Sequence, residues 1–68
     1  MTDTKALRQK IKNSGLKYKY IAEQLSLSPY CLQLKIDNVF EFKVSEVNKL
    51  SSILSLTATE KDSIFFAH

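Results

Sequence analysis

Apolar positions recur three and four residues apart in short stretches along this chain, and turn-forming residues separate one stretch from the next. Leu7 and Ile11 share one helical face, with Lys5, Arg8, Lys10 and Lys12 on the other. This predicts a first helix from about Asp3 to Asn13. The segment Asn13-Ser14-Gly15 supplies its stop, with Gly15 able to take a left-handed conformation. Ile21, Ala22 and Leu25 mark the buried face of a second helix, about Tyr18 to Leu25, whose outer face carries Lys17, Lys19, Glu23 and Gln24. Ala22 is small enough to let another helix cross closely. Ser28 is a good N-cap and Pro29 suits a first turn, where no amide is needed, so a third helix runs from Pro29 to about Asp37. Its buried side is Leu32 and Ile36, which turns Pro29, Tyr30, Gln33, Leu34 and Lys35 outward.

Residues 38–43 read as a connection in which Phe42, and with it Phe40, packs back on the core. A fourth helix, about Val44 to Leu54, places Val47, Leu50 and Leu54 on one face. Thr57 followed three residues later by Glu60 is a capping-box sequence, which opens a fifth helix from about Ala58 to Phe66. The expected fold class is all-α, a compact bundle of about five short helices forming one domain over residues 1–68. No internal repeat or linker stands out.

Composition narrows the functions available. At 68 residues there is room for one small core and none for a catalytic domain, and Gly and Pro occur once each, which favours helices joined by short turns. Paired carboxylates at catalytic spacing, a Cys-His arrangement and a phosphate-binding glycine loop are all missing, so an enzyme is not expected. One Cys and one His give no ligand set for a structural metal, and Cys31 reads as a small apolar residue of the third helix. No cofactor or small-molecule ligand is implied. No charged-then-apolar leader opens the chain and no apolar run approaches about 18 residues, so a cytoplasmic protein without a membrane segment is expected. Ten Lys and Arg against seven Asp and Glu leave a net charge of +3, a modest excess that fits an anionic partner.

The outward face of the third helix changes the picture more than charge does. An aromatic ring, an amide and an aliphatic group side by side suit the major groove of double-stranded DNA, where amides meet base edges and apolar groups touch thymine methyls. Residues 15–37 therefore read as two short helices joined by a tight turn, a helix-turn-helix.

On these residues the chain resembles the Cro-type (XRE) helix-turn-helix family of phage and bacterial repressors, and more narrowly the small single-domain Cro-like proteins of temperate phages. The resemblance is carried by Gly15-Leu16, Ile21-Ala22, Leu25, Leu27-Ser28, Leu32, Lys35-Ile36, Phe42, Glu46 and Ile64-Phe65-Phe66. It implies a lambda-repressor-like DNA-binding fold, with the second and third helices as the helix-turn-helix. It also implies a transcription regulator, a repressor, that binds operator half-sites through the major groove. Base contacts would fall to Pro29, Tyr30, Gln33 and Leu34, with Gln33 suited to an adenine or a neighbouring phosphate. Phosphate contacts would fall to Lys17, Tyr18, Ser28, Lys35, Asn38 and Lys43.

Several positions depart from the family pattern. Ser26 stands where Gly is usual at a turn position with positive φ, at a cost on the order of 1 kcal/mol. Lys17 and Lys43 replace the usual capping residues before helices two and four, and Asp37 replaces the common Asn, which would pass a backbone contact to Asn38. One recognition helix reads too few base pairs alone, so a two-fold homodimer on DNA is expected, weak or monomeric when free. Its contact would come from Leu56, Thr57, Thr59 and Phe66. The alternative is a small phage modulator, or antirepressor, that uses the same surface, with Tyr30, Leu34 and Phe40 as anchors, against a repressor protein.

Overall fold

The structure, a computed structural model, describes residues 1–66. Among these residues there are five α-helices and no strand: α1 (Thr4–Ser14), α2 (Tyr18–Gln24), α3 (Pro29–Ile36), α4 (Val44–Ile53) and α5 (Ala58–Phe65). Each helix lies within one residue of the boundaries expected from spacing. The caps explain the starts. Asp3 accepts from the Ala6 amide, Ser28 from the Cys31 amide and Thr57 from the Glu60 amide, while Glu60 accepts in return from the Thr57 amide.

Helix ends are set by left-handed residues. Gly15 closes α1 at φ 73°, as expected. Ser26, Asn38 and Ser55, none of them Gly, follow α2, α3 and α4 at φ 58°, 64° and 54°. In all three the amides satisfy the last carbonyls in the same way: Ser26 to Glu23 and Leu27 to Ala22, Asn38 to Lys35 and Val39 to Leu34, Ser55 to Ser52 and Leu56 to Ser51. These are Schellman turns, which stop a helix and reverse the chain within a few residues.

Every helix feeds one core. Leu7 and Ile11 of α1, Ile21 and Ala22 of α2 with Leu25 after it, Leu32 and Ile36 of α3, Val47 and Leu50 of α4, and Ile64 and Phe65 of α5 are buried together. Phe42 packs edge-on against Phe65 with ring centroids 5.5 Å apart, as expected for a residue that turns back on the core. Phe40 does not follow it: the chain bends at residues 39–40, and Phe40 is left 55 % exposed. α3 rests on α1 and α2, and α4 rests on α2 and α5.

The N-terminal residues seal the base of α3. The Thr2 amide donates to Asn38 Oδ1 at 2.9 Å, and Asn38 Nδ2 donates back to the Thr2 carbonyl at 2.8 Å. Thr4 Oγ1 donates to the Ile36 carbonyl at 2.6 Å, which is one of the orphan carbonyls at the helix end. The Asp3 amide ties the same segment to the Ile64 carbonyl of α5.

Candidate nucleic-acid interface

Helix α3 is held by its buried stripe and by both its ends, so its outer face has a fixed aim. On that face Pro29 and Tyr30 are exposed, Tyr30 by 74 %, while Gln33 and Leu34 are half-buried. These four are the residues expected to meet bases, and they stand together on one side of α3. Ser28 is exposed as well, but its hydroxyl is occupied as the N-cap of the helix.

Lys35 requires correction. It was expected to face outward toward phosphate; instead it is buried, and its ammonium lies 2.5 Å from Glu46 Oε1. Lys35 is three residues after Leu32 and one before Ile36, so it shares their stripe and has no route to the surface. Burial alone would push the Glu46 carboxyl up, but the hydrogen bond from Lys35 and the Lys43 amide, 2.9 Å away, together hold it below the usual carboxylate range. One carboxylate thus neutralises a buried lysine and caps α4, linking the end of α3 to the start of α4.

Asn38 requires correction too. Its backbone stands at φ 64° and both polar atoms of its side chain are committed to Thr2, with Nδ2 also 3.2 Å from Thr4 Oγ1. The side chain locks the N-terminal segment onto α3 and leaves no group to pass to a phosphate. The carboxylate of Asp37 does not need that relief. Arg8 reaches across from α1 and donates to Asp37 Oδ1 at 2.6 Å and to Gln33 Oε1 at 3.1 Å. Tyr18 is half-buried against the core. Arg8 was expected on a solvated basic face; no local spacing could join it to Gln33, 25 residues away.

Lys17 and Lys43 behave as expected of poor caps. Each is the N-cap residue of its helix, α2 and α4, each is exposed, and neither side chain bonds a backbone amide of its helix. Neither takes part in the three ion pairs of the described residues, Arg8 with Asp37, Lys10 with Glu60 and Lys35 with Glu46.

The expected subunit contact divides in two. Leu56 packs on the core and Thr57 caps α5, so both have internal work, whereas Thr59 and Phe66 are exposed, Phe66 by 52 %. Tyr20 is 46 % exposed. Val39 and Val44, at the connection between α3 and α4, are exposed by 59 % and 75 %, as Phe40 is. Among the described residues no group of three His, Cys, Asp or Glu is placed to hold a metal ion, and no helix is long and apolar enough to cross a membrane. No family model, curated protein or solved structure matches the chain.

Proposed function

We propose that this chain is a sequence-specific regulator of transcription that binds double-stranded DNA, a Cro-like repressor whose α2 and α3 form a helix-turn-helix. In this reading α3 enters the major groove with Pro29, Tyr30, Gln33 and Leu34 toward the bases, in the cytoplasm of a bacterial host. The observation that carries it is the pair of lysines at the N-caps. A cation there opposes the helix dipole by about 0.3 to 1 kcal/mol and caps nothing, so Lys17 and Lys43 weaken the helices they begin. A phosphate at each helix start reverses that sign, because it pairs with the ammonium and with the free amides of the first turn. Two copies would bind the half-sites of a pseudo-palindrome, meeting through Thr59 and Phe66.

A second reading has its own support. Tyr30, Val39, Phe40 and Val44 are each more than half exposed, and apolar side chains left in solvent are ones that a repressor domain could cover. Titration of a random-sequence duplex at several salt concentrations separates the two. For the DNA reading, binding weakens steeply with salt, and Lys17→Ala and Lys43→Ala each lower the magnitude of the log-log slope by about 1. No duplex binding at low salt would sink the DNA reading in favour of the protein-binding one.

A further inference from the structure

The chain has one arginine, and it stands beside the exposed face of α3. Arg8 Nη2 donates to Gln33 Oε1 at 3.1 Å and to Asp37 Oδ1 at 2.6 Å, which puts the guanidinium one hydrogen bond away from a side chain of that face. A helix with its side chains is about as wide as the major groove, roughly 12 Å, so groups on the flank of such a helix meet the phosphates that wall the groove. A guanidinium is also well shaped for phosphate. Here its charge is already compensated by a carboxylate. The pair adds little to the fold, because its side chains are 40 % and 47 % exposed and ion pairs in solvent contribute little to stability.

We propose that Asp37 withholds Arg8 from DNA phosphate and so limits the sequence-independent part of binding. The proposal rests on the DNA-binding reading above. Salt-dependent affinity comes from protein cations that replace the counterions condensed on phosphates. Arg8 and Asp37 together are neutral, so as a pair they displace none. Lys17 and Lys43 differ from Arg8 in this respect, since both are exposed and neither enters an ion pair of the described residues. Removing the charge of Asp37 turns Arg8 into a third uncompensated cation at the edge of the same face. An asparagine there keeps an oxygen that accepts from Nη2, so the guanidinium stays in place while its charge is freed.

The test is titration of a random-sequence duplex at about 50 to 200 mM salt with the full chain, Asp37→Asn, Arg8→Met, the double variant of these two, and Asp62→Asn, each checked for its thermal transition. Asp62 is an exposed acid of α5 outside the ion pairs of the described residues, and its substitution makes the same change in net charge. Asp37→Asn should bind about tenfold tighter than the parent at the low salt and about threefold tighter at the high salt, with the magnitude of the log-log slope raised by about 1. Arg8→Met bares the carboxylate and should bind more weakly than the parent. The double variant is neutral at this place, as the parent is, and should return to the parent's affinity and slope. An unchanged slope in Asp37→Asn overturns the proposal. An equal rise in Asp62→Asn does so too, because net charge would then be the cause, and so does a double variant as tight as Asp37→Asn, because Arg8 would not be the source. Absence of duplex binding by the intact protein at low salt overturns the DNA-binding reading itself, and this proposal with it.

Discussion

The turn between α2 and α3 and the turn between α4 and α5 are built on one pattern. Leu25-Ser26-Leu27-Ser28 and Leu54-Ser55-Leu56-Thr57 each give a helix end, a left-handed Ser, a Leu packed on or near the core, and a hydroxyl that caps the next helix. Counting outward from the turns, buried Ile21 and Ala22 match buried Leu50 and Ser51, and buried Lys35 and Ile36 match buried Ile64 and Phe65. The frames agree, and the difference lies in what the second helix shows to solvent. α5 carries Thr59, Asp62 and Ser63 outward, while the outer face of α3 offers Pro29 and Tyr30 with Leu34 half-buried beside them and no acid. Only the first unit has a surface that suits a nucleic acid or an apolar partner, so under the proposed function the shared turn is scaffolding and the face of α3 makes the contact.

The largest expected effect follows from the one charged residue in that match, Lys35 in place of Ile64. Glu46→Ala leaves a buried ammonium without its carboxylate and α4 without its cap, and should destabilise the protein by about 3 to 5 kcal/mol in denaturant titration. The double variant Lys35→Met with Glu46→Gln removes both charges and keeps an acceptor for the Lys43 amide. It should return to within about 1 kcal/mol of the parent, because a buried pair replaced as a unit is often neutral. A double variant as weak as Glu46→Ala would show that the pair, rather than the shape of the site, holds α3 against α4.

Next in size is the small residue just before each turn. Ala22 is wholly buried where α2 meets α3, so Ala22→Leu should cost about 1 to 3 kcal/mol through overpacking. At the matching place Ser51 Oγ is buried with no partner among the described residues, and Ser51→Ala should be neutral or mildly stabilising. If Ala22→Leu were tolerated, the close crossing that aims α3 would not exist.

Acid should act on the same joints. Glu46 is held below its ordinary value near 4.5, so its contribution is fully present above that pH and fades as the pH falls through the lower value of the folded protein. Glu60, paired with Lys10, is shifted the same way by that hydrogen bond. Thermal transitions should therefore hold steady from neutral pH to about 4.5 and drop below it. In Glu46→Gln the drop should be shallower. An equal drop would place the acid sensitivity elsewhere.

These joints also show what the sequence could and could not carry. Helix positions were legible because caps and spacing are local, and the positive φ of Ser26 followed from the Gly that the family pattern prefers there. Lys35 was misjudged by its chemistry: its place three residues after Leu32 pointed inward, and the acid that receives it lies 11 residues on, across a turn. Asn38 looked like a spare polar group, although a residue just past a helix end is where a left-handed stop is needed, and Asn is the best substitute for Gly there. The contact of Arg8 with Gln33 had no local signal at all, and the same holds for the bend that separates Phe40 from Phe42.

The smallest effect tests whether the two turns are physically alike. Ser26 and Ser55 have nearly the same φ, 58° and 54°, and a side chain at this conformation costs about 1 kcal/mol or somewhat more relative to Gly. Ser26→Gly and Ser55→Gly should each raise the stability of the fold by about 0.5 to 1 kcal/mol, less than the full strain because Gly also gains freedom in the unfolded chain. Equal gains would mean that both turns carry the same strain and that neither is reserved for function. A gain at Ser55 with a loss at Ser26 would set them apart, since a loss means that the Ser26 side chain does something there which no hydrogen bond among the described residues accounts for. Denaturant midpoints of the two variants at constant slope decide it, because unchanged slopes exclude a change in the compactness of the unfolded state as the source.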